Sequence, residues 1–333
     1  MKKSWILYAL MISILLIAGC SSGNGNEEAS ASAGGKKVDF PTKPTTLIIP
    51  YSAGGGTDSV GRAIANSAEK HLGESIGVVN KTGGGGAVGM TEGANSKADG
   101  YTMTMLTVEL TMLPHLGLTP TTYENFKPIA QFNFDPSSIV VPADAPYDTI
   151  EDFIEYAKAN PGKVRIGNGG TGGAGHLSAV TMGEEVGAEF SHIPFEGGAP
   201  AVTAVLGGHV EAVAVQPPEV LQQVKGGKLK ILGIMADERL DVLPDVTTFN
   251  EAGYDFGEIG VWRGVAVPKD TPDEVTAILT DAFMKAAEEP DFKEFMENNG
   301  LGLVISDSKD FEQLMADSHE LYGELIPRLD LNN

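Results

Sequence analysis

Leu47-Ile48-Ile49-Pro50-Tyr51-Ser52-Ala53-Gly54-Gly55-Gly56-Thr57-Asp58 reads as a buried-type strand, a glycine loop and the start of a helix. The same grammar recurs twice. Ser75–Val79 leads to Gly83-Gly84-Gly85-Gly86-Ala87-Val88-Gly89, and Val164–Ile166 leads to Gly167-Asn168-Gly169-Gly170-Thr171-Gly172-Gly173-Ala174-Gly175. A glycine loop between a strand and a helix leaves bare backbone N–H groups at the helix N-terminus, where the macrodipole favours negative charge. Three such loops point to a site that holds an anion without basic side chains.

From Thr45 onward strand and helix patterns alternate. The Asp58–Leu72 segment repeats Val60, Ile64, Ala68 and Leu72 on one helical face, and Ile150, Phe153, Ile154 and Ala157 do the same over Thr149–Asn160 before Pro161-Gly162. Further strands are expected at Tyr101–Val108, Glu189–Ile193, Val210–Val215, Lys230–Ile234, Gly264–Val267 and Leu303–Ile305. Helices are expected at Gly86–Asn95, from the third loop to Glu185, and at Ala199–Leu206, Pro217–Lys225, Pro272–Glu288, Pro290–Asn299 and Lys309–Leu325. This alternation predicts an α/β class of two domains, each a mostly parallel sheet flanked by helices, with the ligand cleft between them. Two extended, apolar, proline-containing segments, Ile129–Val141 and Gly260–Val267, are the expected hinge crossings. They divide the body into domain 1, residues 38–138 plus 262–333, and domain 2, residues 139–261.

The first residues read as a targeting segment. Lys2 and Lys3 precede an apolar run from Trp5 to Ile17, too short for a comfortable membrane span, and Ile17-Ala18-Gly19-Cys20 resembles a bacterial lipobox. The expectation is a signal peptide over residues 1–19, cleavage before Cys20, lipidation of its thiol by acyl chains such as palmitate, and a tether over residues 20–37. The stretch from Ser21 to about Lys37 is rich in Ser, Gly, Asn, Ala and Glu, and about 17 such residues reach about 20–25 Å. Cys20 is the chain's single cysteine, so no intrachain disulfide forms. The formal net charge of −22 argues against nucleic acid and against direct adsorption to an anionic membrane. With arginines only at 62, 165, 239, 263 and 328, a clamp of clustered guanidinium groups is not expected.

Several chemistries find no support in the spacing. Gly84–Gly89 and Gly170–Gly175 each satisfy G-x-G-x-x-G, and Glu109 and Glu196 stand where a ribose-binding acid would, but Asn80-Lys81-Thr82 separates the second strand from its glycines, whereas a dinucleotide fingerprint needs the turn directly after the strand. There is no G-x-S-x-G elbow, and the histidines at 71, 115, 176, 192, 209 and 319 show no paired metal-ligand spacing. Catalytic residues, a metal and a cofactor are therefore not expected. Asp58 reads either as an N-cap or as a carboxylate that orients loop one, and His176 either as an orienting group for the third loop or as a polar residue opening a helix. For Trp262 and Tyr101 core packing is the expected role.

Five ordered blocks resemble the receptor proteins of the tripartite tricarboxylate transporters, the Bug family. They are Phe40-Pro41-Thr42-Lys43-Pro44 with Leu47 to Asp58, Ala98-Asp99-Gly100-Tyr101-Thr102, His192 to Ala201, Leu243-Pro244-Asp245-Val246, and Trp262-Arg263-Gly264-Val265-Ala266-Val267-Pro268. The resemblance runs from about residue 39 to the C-terminal helix. It implies a type II periplasmic-binding-protein fold and a non-enzymatic receptor that delivers a small di- or tricarboxylate-like acid to a permease of one large and one small membrane subunit. By position it implies ligand contacts from Tyr51, Ser52, Ala53, Gly54, Gly55, Gly56, Thr57 and Asp58. The facing loop supplies Asn168, Gly169, Thr171, Gly172 and Gly173 with His176 behind, and Phe195, Gly197 and Gly198 lie nearby. Gly85 and Gly86 of the second loop, with Thr107 and Gln216 at strand ends, complete the candidate set. Family members often carry serines at positions 168 and 173 and a lysine at 196, so Asn168, Gly173 and Glu196 depart from the pattern and favour a ligand with a hydroxyl, an amine or fewer carboxylates. A receptor that signals through a membrane sensor, and an extracellular enzyme, are the competing readings. One tether per chain and no coiled-coil pattern point to a monomer.

Overall fold

The computed structural model describes residues 38–195, 197–254 and 259–328. The expected leader, Cys20, the tether and Glu196 lie outside the described residues.

The body opens with β1 (Thr45–Ile49), α1 (Gly56–Leu72), β2 (Ile76–Asn80), α2 (Ala87–Ala94), β3 (Thr102–Thr107) and a short α3 (Glu109–Met112). Next come β4 (Phe126–Pro136), β5 (Ser138–Pro142), α4 (Ile150–Ala159), β6 (Arg165–Asn168), α5 (Ala174–Val186), β7 (Ser191–Pro194), α6 (Gly198–Leu206), β8 (Ala212–Val215), α7 (Leu221–Lys225) and β9 (Leu229–Ile234). The chain closes with β10 (Gly260–Pro268), α8 (Asp273–Glu288), α9 (Pro290–Asn298), β11 (Leu303–Ser306) and α10 (Ser308–Leu325). Two sheets result, in the orders β11-β4-β10-β3-β1-β2 and β7-β6-β8-β5-β9.

The α/β architecture matches the expectation, but both sheets are mixed. In the first, β1 pairs in parallel with β2 and β3, while β10 runs antiparallel to β3 and β4, and β11 antiparallel to β4. In the second, β6 pairs in parallel with β7 and β8, while β5 runs antiparallel to β8 and β9. Helical crossovers produce the parallel pairs. Strands β4, β5 and β10 enter or leave a sheet by direct passage, which imposes no parallel direction.

The chain passes between sheets at Ser137 and returns between Met235 and Gly260. Ser137 N–H donates to the Ile259 carbonyl at 2.7 Å and the Ser137 carbonyl accepts from Met235 N–H at 2.8 Å, so the two passages run side by side. The expected second crossing, Gly260–Val267, is instead buried throughout as β10, and the crossing falls before it.

The apolar periodicities do what they imply. Val60, Ile64 and Ala68 of α1 are fully buried against β1, β3 and α8, with Phe132, Phe283 and Phe292 in the same cluster. The α4 face buries Ile150, Phe153, Ile154 and Ala157 against the second sheet. Each such side chain contributes about 1.5–3 kcal/mol by leaving water. Trp262 is buried edge-on against Phe311 with ring centroids 5.4 Å apart, the packing role expected of it. A further cluster joins Leu177 and Val180 of α5 to Leu110, Met112 and Trp262, so apolar packing links elements of both sheets. Among the described residues no helix is long and apolar enough to cross a membrane.

Candidate functional site

The three glycine loops converge. They line one cavity of about 640 Å³ together with the segments after β7 and β8.

Loop one starts α1. Gly55 is the N-cap and contributes no side-chain bond, which leaves the first-turn N–H groups uncapped by the protein's own side chains. Asp58 is not the cap. It sits buried in the first turn, where its Oδ2 accepts from Gly54 N–H and from Arg62 Nε, both at 2.9 Å. Its Oδ1 accepts from Asn80 Nδ2 at 2.8 Å, and the same nitrogen donates to the Tyr51 carbonyl at 2.8 Å. Asp58 thus ties loop one to the end of β2 from below. Burial alone would raise its pKa, but the hydrogen bonds from Arg62, Asn80 and Gly54 outweigh it and hold the carboxyl below the usual range. A depressed carboxyl stabilises the fold above its unfolded pKa, about 3.9, and that contribution is lost as pH falls through the folded value. Asp58→Asn is therefore expected to lose about 1–3 kcal/mol at pH 7 and to show a flatter loss of stability between pH 5 and 3 than wild type, read by urea denaturation. Parallel acid limbs in the two proteins would contradict this role.

Loop two holds Gly83, Gly84, Gly85 and Gly86 at positive φ, 58° to 130°, a run that residues with a Cβ rarely adopt. Tyr51 hydroxyl donates to the Gly85 carbonyl at 3.1 Å and lies 3.0 Å from Thr107 Oγ1. Thr107 in turn donates to Glu109 Oε2 at 2.5 Å. Burial and the Glu109 charge push the Tyr51 hydroxyl well above its ordinary pKa, which keeps it a neutral donor.

Loop three leaves β6 at Asn168, whose Oδ1 accepts from Gly170 N–H at 3.0 Å. His176 Nδ1 accepts from Gly172 N–H at 3.0 Å, so His176 orients the loop from behind. Burial lowers the pKa of His176, and burial with the neighbouring His176 lowers that of His192 to about 4; their rings meet edge to face at 5.1 Å. Both are neutral at pH 7, and the loop's positive potential is that of its peptide groups.

Of the residues expected at the site, Tyr51 through Thr57, Gly85, Gly86, Gly169, Thr171, Gly173, Phe195, Gly197, Gly198 and Gln216 line the cavity. Asp58, Thr107, Asn168, Gly172 and His176 do not. They stand behind it and hold those that do, through the bonds above; Gly172 lies under Leu116.

Three charge-bearing lining residues were not in the expected set. Arg263, buried in β10, donates through Nε to Thr57 Oγ1 at 3.0 Å and through Nη1 to Asn133 Oδ1 and Asp135 Oδ2. A Cβ built on Gly56 would stand 3.1 Å from its Nη2, which places the guanidinium directly under loop one. Glu109, the acid that follows the second glycine motif at ribose-acid distance, instead reaches loop three, where Oε1 accepts from Ala174 N–H at 3.5 Å. Glu219 lies in the turn Pro217–Glu219 after β8. A lone charge inside an apolar strand, as in Val261-Trp262-Arg263-Gly264-Val265, was the available signal for Arg263. Among the described residues no group of three or more His, Cys, Asp or Glu is placed to hold a metal ion.

Residues 60–331 match the family model described as tripartite tricarboxylate transporter family receptor. The chain belongs to this receptor family. It is 33% identical over 298 residues to a UPF0065 protein encoded in the gbd 5' region of Cupriavidus necator, covering 88% of this chain and 89% of that relative. Among solved structures, a TctC solute binding protein from Polaromonas, without ligand, is 41% identical with a TM-score of 0.71, over 87% of this chain and all of the other. An R. palustris protein solved with adipate is 25% identical with a TM-score of 0.80, over 86% of this chain and 97% of the other. The α/β architecture of two mixed sheets is thus the periplasmic-binding-protein architecture of this family.

Proposed function

We propose that this protein is an extracytoplasmic receptor that captures a small organic carboxylate in the cleft between its two sheets and presents it to a two-component membrane permease. The observation that carries this reading is the convergence of three glycine loops, one at the uncapped N-terminus of the 17-residue helix α1, on a single cavity of about 640 Å³. Family membership and the adipate held by the R. palustris protein support it. The ligand's carboxylate is met by peptide N–H groups of Gly55 to Thr57 and of loop three, each charge-assisted bond contributing about 1.5–3 kcal/mol. Residues 38–136 with 260–328 form one lobe and residues 138–254 the other, each a few residues off the bounds expected from the sequence because the crossings fall at Ser137 and before Gly260, and the lobes close about the paired passages at Ser137 and Ile259. Lipid on Cys20 keeps the receptor, as a monomer, beside the permease's large and small subunits.

A thermal-shift screen of the whole chain against small carboxylates, with NAD as a control ligand, tests this reading. A carboxylate at 100 times its Kd adds about 2.7 kcal/mol, a rise of a few degrees in Tm. A response to NAD alone would overturn the assignment and return the two G-x-G-x-x-G motifs to consideration.

A further inference from the structure

The carboxylate and guanidinium groups among the cavity's lining residues are those of Glu109, Glu219 and Arg263, and the Tyr51 hydroxyl stays neutral. Their charges do not balance. The Arg263 guanidinium is already met by the ion pair with Asp135, both side chains buried. Glu109 is engaged by Thr107 and by the first N–H of α5. Glu219 forms no ion pair among the described residues. Its carboxylate lies against the first residue of α6, where a Cβ on Gly198 would overlap Oε2, so the absence of a side chain at 198 leaves room for it. A ligand with two carboxylates would add two negative charges to a cleft that already has a surplus.

We propose that the cleft selects a ligand bearing an ammonium group as well as a carboxylate, with loop one holding the carboxylate and Glu219 pairing with the ammonium. The proposal rests on the carboxylate-receptor reading and narrows it to aminocarboxylates. An ammonium group supplies the missing counter-charge: of the two lining carboxylates, Glu109 is held by the Thr107 hydroxyl and the first N–H of α5, whereas the bond recorded to Glu219 is a backbone one from Gln216, which leaves its charge without a cationic partner among the described residues. The groups that face Glu219 are Arg263 of β10, Asp135 of β4 and Glu109 of α3. Burial, opposed by the Arg263 charge and the Gln216 backbone hydrogen bond and reinforced by the Asp135 and Glu109 charges, raises the Glu219 carboxyl to about 7.

That value gives the two ligand classes opposite pH dependences. An aminocarboxylate needs Glu219 ionised, so its affinity rises with pH up to about 7 and then levels, by up to tenfold per pH unit below that point. A dicarboxylate needs Glu219 protonated, so its affinity falls above about 7. Amines of the lysine type stay charged throughout this range.

The test uses calorimetry on the whole chain at pH 6 and pH 8. The probes are succinate, glutarate and adipate, each beside the ω-amino acid in which –NH3+ replaces one carboxylate and beside its own 2-amino derivative. The expected result is at least a tenfold preference for an ammonium-bearing member in one or more series, larger at pH 8 than at pH 6, and reduced to within twofold in Glu219→Gln. Equal or tighter binding of the plain diacid in every series where binding occurs, or affinity that falls with pH, would overturn the proposal and leave the receptor reading intact. A preference that persists undiminished in Glu219→Gln would overturn the assignment to Glu219. Silence from all probes at both pH values would overturn the carboxylate reading itself and the proposal with it. The wild-type comparison decides the ligand class even where the variant does not fold.

Discussion

Arg263→Met is expected to destabilise the protein by about 3–5 kcal/mol, the usual cost of leaving one partner of a buried ion pair alone. Arg263 and Asp135 are 4% and 2% exposed, so the stranded carboxylate would have no solvent to replace the guanidinium. Asp135 keeps two other donors, Asn133 Nδ2 at 3.0 Å and Gly302 N–H at 2.8 Å, which hold the side chain in place and prevent its escape to the surface. Arg263→Met with Asp135→Asn removes the charge instead of stranding it and should recover most of the loss. Urea denaturation of the single and double variants reads this directly. A single variant within 1 kcal/mol of wild type would show that the pair does not carry the charge balance of the cleft floor. The double variant separates stability from binding, because it folds but lacks the Nε bond to Thr57 that fixes the start of α1. Its affinity for a carboxylate is expected to stay low when its stability returns.

The parts of this molecule legible in the sequence are those where a local rule and the tertiary outcome agree. The spacing of Val60, Ile64, Ala68 and Leu72 gave α1 its buried face, and the positions of the glycines gave the loops, since both depend on near neighbours in the chain. The four-residue helix α3 offers no period to read. Strands β4 and β5 are separated by Ser137 alone, and only the switch of pairing partner there divides them. The antiparallel insertion of β10 between β3 and β4 brings together segments more than 120 residues apart, which no local pattern records. The convergence of charges on the cleft was not legible for the same reason. Glu109, Glu219 and Arg263 belong to three different elements and acquire meaning only when the sheets place them around one cavity. Glu109 illustrates this most directly: its sequence distance from a glycine motif suggested a ribose, whereas its place in the fold is a bond to the N-terminus of α5.

Gly56→Leu is expected to weaken carboxylate binding by about 100-fold, or about 2.7 kcal/mol, while leaving the protein folded. Gly56 is the first residue of α1 and its φ lies outside the left-handed region, so a side chain is compatible with the backbone there. The effect is one of occupancy. The new Cβ would stand 3.1 Å from Arg263 Nη2 and 3.6 Å from Cζ, so the leucine crowds the cavity wall that Gly56 and Arg263 share, beside the N–H groups assigned to the carboxylate. Gly54→Ala supplies the contrast. It has nothing within 4 Å of its Cβ but sits at φ +85°, so its cost is backbone strain of about 1–2 kcal/mol in the fold and not exclusion of ligand. Titration calorimetry and denaturation on both variants therefore separate the two causes: Gly56→Leu should lose affinity and keep its stability, and Gly54→Ala should lose stability first. Undiminished affinity in a folded Gly56→Leu protein would mean that the anion is held elsewhere, and the N-terminus of α5 beside Glu109 would then have to serve without loop one, a site where an existing carboxylate already accepts the first N–H.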